Sequence, residues 1–560
     1  MSNLLRKTTG SVFISILVTA AMVVSSCSNS NEASDTEQQE SGNRTAKEAA
    51  EAEAELTPVR GGSMIFAVEA ESAAGYCLPT SQLAGAGNQV ASAIFDPLFR
   101  LNADFEPVPY LAKSFVWNSG FTELTVSLRP DVKFQDGSPL TSATVARSLK
   151  LYFGKPDMVA ETGIQALLSS VIYQNIDRVE ATDEQTVVIS TKEPWPALPS
   201  FLSGVATGIM AEAQMASGPE QCAKQPIGTG PFAFKEWKIG EKMSLTKNPY
   251  YWRTSATGEA LPYLDSLTFR MMENGSARLD ALEGGTIDAG HWTTQTAFDL
   301  LAADDRFRLI QERPGRQEVT YGLVNEGREP MSDPEVRRHL SLATNRKTIN
   351  EIYSSSVARV ANGPFDTEVL GYLDLPDRPY DKAKAAEFFE DKNITVSMAY
   401  SAEPTIQAVA NEVKRQLGEV GVTVNLNELD QAALVDRALS GNFDMLIFRN
   451  HAGNDPDTQY IWWHSGYPTN FGKINDPKVD ALLEAGRVEI DPAKRKAIYE
   501  DLNRAMSEGA HNSWNFYADW GLGFVKELHG LDSATMPDGS PGPGFNWGIT
   551  RLEEAWREPT

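Results

Sequence analysis

The most regular hydrophobic pattern lies between Ile394 and Phe448. Apolar and polar residues alternate from Ile394 to Tyr400, the signature of a strand. Pro404 suits a first helical turn, and Ile406, Val409, Ala410, Val413 and Leu417 then fall on one helical face. Gly421 follows a helix end, Val422, Val424 and Leu426 alternate again, Gln431 to Ser440 reads as a second helix, and Asp444 to Phe448 as a continuous apolar strand. A strand–helix–strand–helix–strand run predicts parallel strands with helical crossovers. Open α/β sheets bind ligands at the carboxyl ends of their strands, which selects two loops, Ser401 to Glu403 and Arg449 to Asp455. The second holds Arg449, Asn450, His451 and Gly453, and is followed by Trp462, Trp463 and His464. Polar groups beside aromatics fit a small-molecule cleft; a solvated loop over core tryptophans is the alternative.

Upstream the order is less regular. Leu124, Val126 and Leu128 alternate, as do Met243 and Leu245, and Val187 to Ile189 marks another strand. Asp136-Gly137 is a turn signal. Val145, Leu149 and Tyr152 share a helical face after the hydroxyl cap Thr141. Gly85-Ala86-Gly87-Asn88-Gln89-Val90 starts like a dinucleotide loop but lacks a third glycine and a convincing βαβ setting, so it reads as a flexible loop.

The N-terminus has its own pattern. Arg6 and Lys7 precede an apolar run, Val12 to Val24, broken only by Ser15 and Thr19. The run is short of the ~20 residues of a spanning helix and has the form of a secretory signal. Val24-Ser25-Ser26-Cys27 resembles the bacterial lipobox, which implies cleavage before Cys27 and a lipid on its sulfur; an ordinary signal with an incidental cysteine is the alternative. Ser28 to Glu55 has no aromatic residue and reads as a flexible stalk. The remaining chain exceeds the roughly 250–300 residues of one core, so at least two lobes are expected.

A net charge of −25 argues against nucleic acid, which demands a basic face. With Cys27 lipidated, Cys77 and Cys222 remain as a disulfide in an oxidising compartment, or as two isolated buried thiols. Two cysteines without CxxC spacing make a poor metal site. No HExxH, GxSxG or GxxxxGK[ST] occurs. His451 and His464 could approach each other, but ordinary polar contacts suit them better than metal, and Asp455 and Asp457 around Pro456 look like a turn. Neither a catalytic group, a metal nor a cofactor is expected.

Four blocks carry a family resemblance. The first is Leu111-Ala112-Lys113-Ser114-Phe115 with Val132-Lys133-Phe134-Gln135-Asp136-Gly137-Ser138-Pro139-Leu140-Thr141. The second is Gly228-Thr229-Gly230-Pro231-Phe232 through Trp237 and Gly240 to Lys247-Asn248-Pro249-Tyr250-Tyr251-Trp252. The third is Asn325, Asp333-Pro334-Glu335-Val336-Arg337-Arg338, Ala343 and Asn345-Arg346; the fourth is Gly441-Asn442-Phe443-Asp444-Met445 with Asp455-Pro456-Asp457. Together they resemble the family 5 extracellular solute-binding proteins of ABC transporters, which bind peptides, nickel and opines. The family usually has His at Gln135 and more often Asp at Asn345.

The resemblance implies a two-lobed α/β fold of the periplasmic-binding-protein type (type II) with a hinged ligand cleft. After the signal (1–26) and the lipidated cysteine with its acidic linker (27–60), lobe I with an inserted subdomain would span 61–310. Lobe II would span 311–513, and 514–560 would return to lobe I. The cleft would set Phe448, Arg449, Asn450, His451 and Ala452, with Ser401 and Glu403, against Leu83, Ala84, Gly85 and Gly87, with Trp462 and Trp463 as walls. Ala452 stands about where peptide-binding relatives place an Asp for the ligand ammonium. The loop Tyr400-Ser401-Ala402-Glu403-Pro404-Thr405 lacks the Arg that holds a dipeptide carboxylate. An unpartnered buried ligand charge costs several kcal/mol, which disfavours a simple dipeptide and leaves a longer or modified peptide. The expected role is a monomeric, membrane-tethered receptor that passes its ligand to permease subunits. A non-peptide ligand such as an oligosaccharide or metal chelate, or a peptide sensor or chaperone without import, stays open.

Overall fold

The computed structural model describes residues 56–559 except 73, 82, 167, 452, 454, 533 and 534, and omits the side chains of 431 and 432. The signal, Cys27 and Ala452 lie outside the described residues. Everything from Pro58 onward belongs to one unit. Among the described residues no helix is long and apolar enough to cross a membrane.

Lobe I is built on a seven-stranded sheet in the order Phe307–Gln311, Gly521–Val525, Ala289–Trp292, Ser63–Val68, Ser266–Met271, Lys242–Lys247 and Phe232–Lys238. Ser63–Val68 is parallel to both of its neighbours. Gly521–Val525 enters from the C-terminal end of the chain, antiparallel to both of its own. The inserted subdomain is an antiparallel four-stranded sheet ordered Ala112–Trp117, Glu123–Leu128, Thr186–Thr191 and Ile176–Ala181. The helix Ser142–Tyr152 packs on it through Val145, Leu149 and Tyr152, the residues its spacing singles out. Thr141 caps this helix by accepting from the Thr144 N–H, a contact worth about 1 kcal/mol.

The segment Gly85–Ile94, read above as a flexible loop, is an α-helix buried along its whole length. Glycine disfavours a helix by about 1 kcal/mol per residue, and burial overrides that. The Gln89 amide closes a two-way bridge with the backbone of Thr550, donating at 3.1 Å and accepting at 2.6 Å, and so ties the helix to the C-terminal tail. Its far end is where the first two sequence blocks meet. Gln135 donates to the carbonyls of Ile94 and Phe232 and accepts from the Gly228 N–H. Gly228 is needed there, because a Cβ would come within 2.1 Å of the Ile94 oxygen. Cys77 and Cys222 form a disulfide across the same lobe.

Lobe II has the βαβαβ order that the hydrophobic spacing predicts. Its sheet runs Thr423–Leu429, Thr395–Ser401, Met445–Asn450, Glu318–Val324 and Asn512–Ala518. The first three strands are parallel, joined by the helices Pro404–Gly418 and Gln431–Ser440. Arg449 and Asn450 are strand residues rather than loop residues. Glu318–Val324 pairs with the strand along its full length, setting Thr320 opposite Arg449 and Val319 opposite Asn450. The chain crosses between lobes twice, from Gln311 to Glu318 and from Ala518 to Gly521. The second crossing follows the edge strand Asn512–Ala518.

Candidate functional site

The carboxyl ends of a strand from each lobe face one another. Glu69 directly follows Ser63–Val68 in lobe I, and Arg449 stands near the end of Met445–Asn450 in lobe II. The Arg449 guanidinium reaches Glu69 at 3.7 Å and Glu318, at the end of the first crossing, also at 3.7 Å. It lies 5.3 Å over the ring of Trp520, in the second crossing. The Trp520 indole donates to Glu318 at 3.0 Å. Gly85 and Gly548 pack against the same ring; Gly548 has φ 68°, and a Cβ there would sit 2.7 Å from it. Both crossings therefore carry residues of one charged cluster.

Burial opposes the Arg449 cation, but Glu318, Glu69, Tyr353 and Glu403 hold its pKa above the ordinary value. Burial would raise Glu69, yet Arg449, His291 and Arg278 keep it below the usual carboxylate range. Burial raises Glu318 and Glu403, and Arg449 offsets this only in part. Tyr353 joins the lobes from the lobe II side, its hydroxyl donating to the Thr293 carbonyl at 3.0 Å.

Of the residues singled out from the sequence, Arg449, Glu403 and Gly85 gather at this cluster. Phe448 is half-buried and packs edge-on against Tyr321 and Phe471. The Asn450 amide donates to Gln459 at 2.9 Å. His451 stacks on Trp547 of the C-terminal tail, 5.2 Å between rings, so it too joins the lobes. It has no contact with His464, which bonds to Ser465 and Glu484. Trp463 is 3% exposed, in a core with Phe365 and Trp514. Trp462 is half-buried against Phe471. Ser401 closes its strand two residues before Glu403, Ala84 is exposed, and Leu83 is packed under Gly87.

Sequence reasoning missed Glu69, Glu318, Arg278 and Trp520. Glu69 had a legible signal, since it stands at the end of an apolar strand as Arg449 does; Glu318 and Trp520 are brought in by the crossings, and Arg278 by the helix Gly275–Glu283. A second interlobe contact was also missed. The Trp195 indole, in lobe I, donates to Asp457 at 2.7 Å, and Asp457 also accepts from Arg487 Nε at 2.9 Å. Asp455 caps the short turn Pro456–Gln459 and holds Arg495 with both oxygens, at 2.6 and 2.7 Å.

The family model for bacterial extracellular solute-binding proteins, family 5 Middle, matches residues 106–472. The chain belongs to this family. The glutathione-binding protein GsiB of Pectobacterium atrosepticum is 25% identical over 430 residues, covering 74% of this chain and 80% of its own. Two solved structures share the fold. One is the ABC transporter-associated periplasmic binding protein DppA from Helicobacter pylori in complex with the peptide STSA, with TM-score 0.79 and 19% identity. It covers 90% of this chain and 99% of its own. The other is the oligopeptide-binding protein AppA from Bacillus subtilis with a nonapeptide, with TM-score 0.76 and 21% identity, covering 90% of this chain and all of its own. This chain is thus an extracytoplasmic solute-binding protein of the ABC-transporter type, and its relatives are not enzymes.

In this solute-binding protein the charged cluster is backed by His291, which is fully buried and accepts from the Glu69 N–H at 3.4 Å. Burial pushes its pKa down to about 4. An unfolded histidine titrates near 6.5, so between these values the unfolded chain binds the extra proton and stability rises with pH. The contribution is present above about pH 6.5 and is lost as pH falls toward 4. Urea unfolding from pH 4 to 7 should therefore show a slope smaller by about one proton in His291→Gln. Parallel slopes for the two proteins would show that His291 is not held neutral.

Proposed function

We propose that this protein captures a peptide, longer than a dipeptide or chemically modified, between its lobes and delivers it to an ABC permease from a lipid anchor on Cys27. The observation that carries this reading is the Arg449–Glu69–Glu318 cluster, in which both lobes and both crossings contribute to one charged site. Such a site couples ligand contact to closure, because a ligand that engages it touches both lobes at once. Charges of both signs suit a ligand with charges of both signs. The departures from the dipeptide-type pattern, no Arg between Ser401 and Thr405 and Ala at 452, favour a ligand held by other contacts. GsiB is named for glutathione, a modified tripeptide, and AppA is seen with a nonapeptide, and both lie on this side of the distinction.

Native mass spectrometry of freshly purified protein tests the ligand class. A co-purified or preferentially retained peptide of three or more residues supports it; a retained sugar or metal chelate, with no peptide bound from a defined mixture, overturns it. The anchor is tested separately. Cys27→Ala should leave the protein unprocessed or release it from membranes, and unchanged mass and membrane fractionation would refute lipidation.

A further inference from the structure

We infer that Glu403 is the specificity-determining carboxylate of the cleft and selects ligands that carry an ammonium group; this rests on the peptide reading above. Glu403 occupies the N-cap of Pro404–Gly418, where a side chain normally accepts from the first turn of the helix. Its carboxylate makes no such bond. Among the described residues its carboxylate has no hydrogen bond or ion pair, although Glu403 is half-buried and lies in the field of Arg449, Glu69 and Arg278.

Its neighbours are committed elsewhere. Arg449 is shared between Glu69 and Glu318. Glu318 also accepts from Trp520. Arg278 donates to the carbonyls of Met272 and Glu273 at 2.6 and 2.9 Å. Three carboxylates thus share two guanidinium groups, and the one without a partner is at the strand end that opens on the cleft. A second observation points the same way. Thr320 is directly opposite Arg449 in the sheet, so both side chains leave the same face. Thr320 is fully buried, and among the described residues its hydroxyl has no hydrogen-bond partner. A buried hydroxyl without a partner is costly, and a polar group of a ligand or an ordered water at this face would satisfy it. Burial raises the Glu403 carboxyl, the mark of a charge left short of a counter-ion, which a bound cation supplies.

The test uses three equimolar mixtures of tripeptides to pentapeptides, read by native mass spectrometry on the whole protein. The first has free amino termini and no lysine or arginine. The second is the same set N-acetylated. The third is N-acetylated with one lysine each. The wild type should retain the first or the third set about tenfold or more over the second, the scale of one charge-assisted hydrogen bond. Which of the two it retains tells a terminal from a side-chain ammonium. Glu403→Gln should lose that preference while keeping its melting temperature, and Glu403→Asp, which keeps the charge, should retain part of it. A full preference in folded Glu403→Gln, or no preference in the wild type, overturns the inference and leaves the peptide reading standing. Failure of the wild type to bind any of the three sets removes the peptide reading and this inference with it.

Discussion

Arg449→Ala should weaken ligand binding by roughly 2–5 kcal/mol. The cation it removes stands between Glu69 of lobe I and Glu318 of lobe II, and the Glu318 side chain is only 8% exposed. Closing the lobes would then bring two carboxylates together with no counter-charge between them, and much of the loss would come from that rather than from a missing ligand contact. Two companion variants separate the terms. Arg449→Lys keeps a positive charge but gives up the two-pronged reach and the stacking on Trp520, so an intermediate loss is expected. Adding Glu318→Gln to Arg449→Ala removes one stranded carboxylate, and the double variant should bind more tightly than Arg449→Ala alone, a coupling that residues in contact show and distant ones do not. Calorimetry with the ligand found by mass spectrometry measures all three. Wild-type affinity in a folded Arg449→Ala protein would take Arg449 out of the site.

That Arg449 could be selected from the sequence, while the meeting of its partners around it could not, follows from the range over which each signal acts. The βαβαβ order of lobe II is written in local periodicity, so strand ends, and with them Arg449 and Glu403, were legible. The partners of Arg449 come from the first strand of lobe I and from two crossings, hundreds of residues apart in sequence. No local pattern records that Trp520 and Glu318 meet. Where local pattern and tertiary environment disagreed, the environment won. Gly85–Ile94 carries two early glycines and reads as a loop, yet it is a fully buried helix because Gln89 and the surrounding core hold it. Trp462 and Trp463 are adjacent and identical in type, and only the fold decides that Trp463 belongs to the core. The Cys77–Cys222 pair was legible for a different reason, since counting cysteines constrains pairing without any geometry.

Asp457→Ala should cost about 3–5 kcal/mol of stability, because it breaks a buried ion pair from one side. Asp457 is fully buried, and its two oxygens face different lobes: one accepts from Arg487 of lobe II, the other from the indole of Trp195 in lobe I. Its loss strands a guanidinium whose side chain is 8% exposed, leaving it the ring faces of Tyr460, 3.6 Å away, and Trp195, 5.3 Å away. Trp195→Phe isolates the interlobe half of the effect. Phenylalanine keeps the aromatic packing with Tyr173 and Phe201 and leaves the Asp457–Arg487 pair intact, but removes the donor that bridges the lobes. The lost hydrogen bond is one to a charged acceptor, about 1.5–3 kcal/mol, and it is made only when the lobes are together. The melting temperature of Trp195→Phe should therefore fall less than that of Asp457→Ala, while its ligand affinity drops and its ligand-free radius of gyration by X-ray scattering grows. If Trp195→Phe scatters and binds like the wild type, the contact does not hold the lobes closed; if Asp457→Ala melts like the wild type, the pair it breaks is not buried in solution.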